Sequence, residues 1–169
     1  SEAVRMRFEH LKRREVILRS MGQLLQNTGM EVIADEALLE TVTFLVEYPV
    51  PVLCSFDREY LKLPKELLIT VMKDHQKYFA VQDAAGNLSN SFIVISNTKA
   101  ENAETVRVGA ERVIKARFDD AKFYYSEDTA RPLAGRVDQL ADVTFHDQLG
   151  SLLEKTDRIS AIAEFLAEK

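Results

Sequence analysis

Pro49-Val50-Pro51-Val52-Leu53-Cys54 restricts this chain more than any other run of residues. Each proline lacks an amide donor and steers its predecessor away from the helical region. The segment must therefore be extended, as an edge strand or a buried extended link. Two further runs, Lys77 to Gln82 and Ser91 to Ser96, are rich in aromatic and β-branched residues, and Ala84-Ala85-Gly86-Asn87 lies between them as a turn. They predict a β-hairpin. A lone hairpin is marginal in water, so it needs a helical layer or a further strand, and the segment from Pro49 to Phe56 is the candidate neighbour.

Helical spacing dominates the rest. Val4, Phe8, Leu11, Leu18, Met21 and Leu25 predict an amphipathic helix from Glu2 to about Gln26, with Arg5, Lys12, Arg13 and Arg19 on its other faces. Asn27-Thr28-Gly29 closes it. Asp35 caps a second helix whose stripe is Leu38, Leu39, Val42, Leu45 and Val46, and Pro49 stops it. Pro64 opens a third, in which Leu67, Leu68, Val71 and Met72 form the apolar stripe and His75 lies close to it, a structural histidine at the helix end. Asn102 begins a long helix carrying Val106, Ala110, Val113, Ile114, Ala121 and Tyr124. Asp128 or Thr129 caps another through Pro132, Leu133, Val137 and Leu140, followed by a short extended piece at Val143-Thr144-Phe145. Ser151 and Glu154 match a capping box before the last helix, whose stripe of Leu152, Ile159, Ala163 and Leu166 is still running at Lys169. That pattern reads as a piece of a larger chain.

The expected fold class is α+β: mostly helical, with a small antiparallel hairpin or sheet packed on helices. Residues 1–48 form an N-terminal helical segment, 49–98 an extended segment, helix and hairpin, and 99–169 a helical segment truncated at its end. Together they are expected to make one compact domain of a larger subunit.

Composition removes several function classes. With 22 Lys and Arg against 27 Asp and Glu, the net charge is −5, so RNA contact must use a local basic surface and not a global field. No run approaches the roughly 20 apolar residues of a membrane span, and the expectation is a soluble, cytoplasmic protein. The lone Cys54 sits in an apolar extended run, where a buried inert thiol is the expected state. His10, His75 and His146 lack close metal-ligand spacing, and no glycine-rich phosphate loop is present. No catalytic, metal or cofactor residue is assigned.

Lys73-Asp74-His75-Gln76-Lys77-Tyr78-Phe79 is the densest chemical cluster. Cations, an amide and aromatics together can grip phosphate, bond base edges and stack on unpaired bases. The commoner arrangement of such residues is a helix C-terminus followed by a strand whose Tyr and Phe fill a core. Arg107, Arg112, Lys115 and Arg117 form a second basic cluster, but Glu104, Glu111, Asp119 and Asp120 interrupt it, as on a solvated helix face with ion pairs. A hydrolase or editing-like site around His75 lacks a positioned partner.

Five ordered blocks resemble the beta subunit of bacterial heterotetrameric glycyl-tRNA synthetase: Phe44 to Leu53, Leu68 to Phe79, Phe92 to Asn97, Gly109 to Tyr125, and Leu149 to Ile159. The sequence departs from the family's usual pattern at Ala110, where Asn is common, and at Ala116, where Pro is common. The resemblance implies an internal part of a class II aminoacyl-tRNA synthetase that joins glycine to tRNA(Gly). ATP and Mg2+ are used at an adenylate-forming site on a separate alpha subunit. It implies an alpha2-beta2 assembly, with a histidine-aspartate type domain and an anticodon-binding region following Lys169. On that basis Lys73, Gln76, Lys77, Arg112, Lys115 and Arg117 are the candidate RNA contacts. The alternative is a purely structural interdomain scaffold that does not touch RNA.

Overall fold

In the computed structural model, which describes residues 9–98 and 100–169, helix α1 runs from His10 to Leu24. The first turns of the expected helix, with Val4, Arg5 and Phe8, lie outside the described residues. The buried stripe of α1 is Arg13, Ile17 and Met21, every fourth residue on one helical face. This corrects the expected faces, since Leu11 is 71% exposed and Arg13 is buried. A buried guanidinium is tolerated only when hydrogen-bonded, and Arg13 Nε donates to the Thr43 carbonyl at 2.6 Å. Asn27 (φ 65°) and Gly29 (φ 70°) adopt the left-handed conformation that ends the helix.

Strand β1 (Met30–Val32) follows; three residues carry too little periodicity to be read from sequence. Helix α2 (Glu36–Leu45) is capped by Asp35, whose side chain accepts from the Leu38 amide. Leu38, Leu39, Val42 and Thr43 are buried, whereas Leu45, expected in the stripe, is exposed. Strand β2 (Val50–Ser55) is the proline-rich run. A 3-10 turn at Arg58–Lys62 leads to α3 (Lys65–Thr70), and the chain then widens into a π turn over Val71–His75. Strands β3 (Phe79–Asp83) and β4 (Leu88–Ser96) are the predicted hairpin.

All pairings are antiparallel, in the order β1-β3-β4-β2. The expected neighbour is confirmed, since β2 pairs with β4 from Val50↔Ser96 to Ser55↔Ser91. At the edge, Pro51 costs no inner ladder bond. The pleat sends alternate residues to opposite faces, and both faces are covered. Phe79, Val81 and Ile93 pack with Ile17 and Met21 of α1 and Leu38, Leu39 and Val42 of α2. Val52, Cys54, Ala80 and Phe92 pack on the opposite face with Leu68 of α3, Met72 of the π turn, and Ile114 and Phe118 of α4 (Ala103–Thr129). Three layers result, helices, sheet, helices. Double coverage explains why Phe92-Ile93-Val94-Ile95 is continuously apolar and not alternating.

The chain divides into two compact units between Phe123 and Tyr124, within α4. The core on the α1–α2 face includes residues from both sides of position 49. The second unit contains 3-10 turns at Leu133–Arg136 and Asp138–Asp142 in place of the helix expected from Pro132 to Leu140. The short strands β5 (Thr144–His146) and β6 (Gly150–Ser151) pair, and α5 (Leu152–Ala167) follows. The capping box is present: the Ser151 side chain accepts from the Glu154 amide, and the Ser151 amide donates to Glu154 Oε2 at 2.6 Å. No described helix is long and apolar enough to cross a membrane.

Candidate nucleic-acid interface

The cluster from Lys73 to Phe79 occupies the π turn and the step into β3. The Lys77 amide donates to the Lys73 carbonyl at 3.1 Å, an α-helical span of four residues, and the Tyr78 amide reaches back six residues to the Met72 carbonyl at 3.0 Å. Lys77 sits at φ 58°, a left-handed conformation uncommon for a residue with a Cβ. The wider turn changes which side chains face the core. His75 falls four residues after Val71 and shares the buried face of a regular α-helix, but the π turn rotates it outward and it is exposed. The expected packing of His75 beside Met72 is thereby corrected.

The aromatics of the cluster belong to the core. Phe79 is buried, and the half-buried Tyr78 ring stacks on Phe92 at 5.1 Å between centroids. Phe79 offers no face to a base, and one face of Tyr78 is taken by Phe92. Lys73 Nζ pairs with Asp35 Oδ2 at 2.6 Å, tying the π turn to the cap of α2. Burial pushes the Asp35 carboxyl up, but the Lys73 ammonium and the Leu38 and Ala37 amides outweigh it and hold the group below its ordinary value. Lys77 Nζ donates to the Asp74 carbonyl at 3.0 Å. Gln76 is half-buried in the same turn. Lys73, Gln76 and Lys77 are thus brought together, with Lys73 already engaged by a carboxylate.

Arg112, Lys115 and Arg117 are exposed on α4, but helical geometry separates them. At 3.6 residues per turn Arg117 is rotated about 140° from Arg112 and about 160° from Lys115. The buried stripe of Ala110, Ile114 and Phe118 lies between the two flanks. Lys115 stands 4.0 Å from Asp119 and Arg117 3.9 Å from Asp120, both exposed pairs of small energetic weight. The two basic clusters therefore supply scattered cations and not one continuous patch.

Several polar anchors escaped the sequence reading. Glu111 Oε1 accepts from the Ser55 amide at 2.9 Å and hydroxyl at 3.1 Å at the end of edge strand β2, while Arg107 bridges Glu104 and Glu111. Tyr60 Oη donates to Asp119 Oδ1 at 2.5 Å. Burial first, then this carboxylate, raises the phenol above its ordinary range. Asn97 Oδ1 accepts from the amides of Glu47 and Tyr48. The Ser55–Glu111, Tyr60–Asp119 and Asn97 bonds join residues far apart in sequence, where no local spacing announces a partner.

Cys54 is buried as expected, and burial, aided by the Glu111 charge, pushes its thiol up to about 12. A thiol held protonated beneath α4 is a poor nucleophile. A thiol reagent is therefore expected to label the native chain only at its unfolding rate and the denatured chain at once. Rapid stoichiometric labelling of the native chain contradicts this placement. Among the described residues no three His, Cys, Asp or Glu side chains converge as a metal site.

These features describe a three-layer α+β module with polar anchors and dispersed surface cations. The family model described as glycyl-tRNA synthetase beta subunit matches residues 2–169. The chain belongs to that family. It is 51% identical over 158 residues to the glycine–tRNA ligase beta subunit of Thermodesulfovibrio yellowstonii, an alignment covering 94% of this chain and 23% of that protein. The corresponding protein of Lactobacillus acidophilus is 46% identical, with 91% of this chain and 22% of the relative covered. That of Geotalea uraniireducens is 44% identical, with 94% and 23% covered. The chain thus spans less than a quarter of the length of these relatives.

Proposed function

We propose that this chain is an internal module of a glycine–tRNA ligase beta subunit acting in the cytoplasm. In this reading it serves ATP-dependent glycylation of tRNA(Gly) by organising the subunit and offering tRNA a few phosphate-directed cations. Adenylation, with ATP and Mg2+, belongs to the alpha subunit of an alpha2-beta2 assembly. The observation that carries the reading is the family match across residues 2–169. The juxtaposition of Lys73, Gln76 and Lys77, each half-buried, in one turn, with Arg112 and Lys115 on one flank of α4, supports an electrostatic contribution to RNA contact.

The scaffold alternative has its own support. Lys73 is engaged by Asp35, and Lys115 and Arg117 each have an aspartate four or three residues on. Alanine at Lys73, Lys77, Arg112, Lys115 and Arg117, one at a time in the complete alpha and beta assembly, separates the two. Each contacting residue is expected to lower tRNA affinity and to reduce the slope of log K against log salt by about one. Unchanged affinity and slope for all five assign the module a scaffold role.

A further inference from the structure

A cavity of about 460 Å³ opens between the C-terminal half of α1, strand β1 and the start of α2. Its floor is Met21, Leu39 and Phe79, each no more than 3% exposed. The consecutive residues from Met30 to Ala34 line one side. Side chains of an extended chain alternate between faces, so a consecutive run borders a cavity only along its backbone edge. That edge is unpaired in the sheet, because β1 is an outermost strand. The Ile33 amide donates inward to the Ala80 carbonyl at 2.9 Å, and the alternation of an antiparallel ladder then turns the amide and carbonyl of Val32 outward. The Met30 amide, also outward, is taken by the Thr28 hydroxyl at 3.1 Å. At the opposite edge of the sheet, Pro51 lies within β2 and Glu111 holds the Ser55 amide, both of which discourage a further strand. Strand β1 contains no proline.

Gly22 lies on the facing wall, inside α1, one turn from Leu18 and from Leu25. Glycine is unfavourable in a helix interior, and packing within this chain does not demand it, since a Cβ there would meet nothing within 4 Å. The missing side chain widens the cavity up to the helix backbone. Glu31, Asp35 and Glu36 line the cavity, and no Lys, Arg or His does. Lys73 and Arg14 engage Asp35 and Glu36, whereas Glu31 accepts from the neutral Gln82 amide at 2.7 Å.

These features select an occupant. The outward backbone of Val32 suits an added strand, the adjoining cavity takes an apolar side chain of that strand, and the carboxylates favour cations beside it. We propose that the β1 edge and its cavity bind an extended peptide segment of a separate polypeptide, in which an apolar residue is flanked by Lys or Arg. A phosphate-bearing ligand would oppose the carboxylates. A second copy adding its own β1 about the strand centre would set Glu31 against Glu31. The floor is closed without an occupant, so the segment is not needed to complete the core and binds reversibly. The proposal is independent of RNA contact.

The complete alpha and beta assembly without tRNA, titrated with a fluorescein-labelled nonapeptide of alternating lysine and leucine, tests it by anisotropy and by hydrogen exchange. The expected result is saturable binding of one peptide per beta subunit, with the Val32 amide exchanging at least about tenfold more slowly when saturated. Alternating glutamate and leucine, or the lysine peptide N-methylated at every second residue, should bind at least about tenfold more weakly. Gly22→Leu fills the cavity and should weaken binding by a similar factor, with the melting temperature unchanged or raised because a glycine leaves the helix. The N-methylated peptide makes the same test without altering the protein. Binding that is indifferent to both N-methylation and Gly22→Leu is adsorption to an acidic surface and overturns the proposal. Absence of saturable binding, or a Val32 amide already as protected in the free assembly as with peptide, also overturns it, the latter in favour of an edge covered by the enzyme itself.

Discussion

Phe92→Ala is expected to lower the unfolding free energy by about 3–5 kcal/mol, the range for emptying a fully buried aromatic position. Phe92 lies on β4 between two strands, opposite Ala80 of β3 and Cys54 of β2. It is fully buried, and its ring stacks on Tyr78 at 5.1 Å and on Phe56 at 6.4 Å. The site resists collapse because hydrogen-bonded ladders on both sides fix the backbone and α4 closes the face with Ile114 and Phe118. The lost transfer energy is therefore accompanied by a persistent cavity. Phe92→Leu should cost substantially less. Urea unfolding of the chain measures both, and a loss below about 1 kcal/mol for Phe92→Ala would mean that the two faces repack freely.

The next largest effect is expected at Asp35. Its Oδ1 accepts from the Leu38 amide at 2.9 Å and its Oδ2 pairs with Lys73, so one carboxylate both caps α2 and ties the π turn to it. Asp35→Ala removes the cap at a cost of about 1–2 kcal/mol and releases Lys73. Asp35→Asn keeps a capping oxygen and removes the charge. The folded-state carboxyl titrates below its ordinary value of 3.8. Its ionised form therefore contributes stability that is complete above the unfolded value and lost as pH falls through the lower folded value. Asp35→Asn should flatten this part of the acid limb in unfolding curves as pH falls through and below the ordinary value of 3.8. An unaltered acid limb would show that the pairing with Lys73 contributes nothing in solution.

Much of the fold was legible residue by residue. Pro49 and Pro51 dictated an extended edge, the aromatic and β-branched runs on either side of Gly86 dictated a hairpin, and Asp35 and Ser151 marked two helix starts correctly. The failures have physical causes. Arg13 is expected on a solvent face because a charge is ordinarily excluded from a core, and tertiary partners that include the Thr43 carbonyl reverse that preference. His75 was placed near the core because α-helical periodicity was extrapolated through a π turn. The helix expected from Pro132 to Leu140 became two 3-10 turns with Gly135 inside the first, where a helix former is absent.

The candidate site divided in the same way. Residue types and the ordered family blocks identified which cations to consider, but not which were already engaged. Sequence by itself determined most helices, the hairpin, the edge strand and the α+β class, because propensity, capping and turn chemistry act over about four residues, and its ordered blocks determined the family. Only the tertiary structure decided that Lys73 meets Asp35, that Glu111 holds the end of β2, that Tyr60 bonds Asp119, and that the chain divides at Phe123. The Ser55–Glu111 and Tyr60–Asp119 partners are 56 and 59 residues apart. Such pairs depend on the packing of α4 against the sheet, and packing, not local preference, selects them.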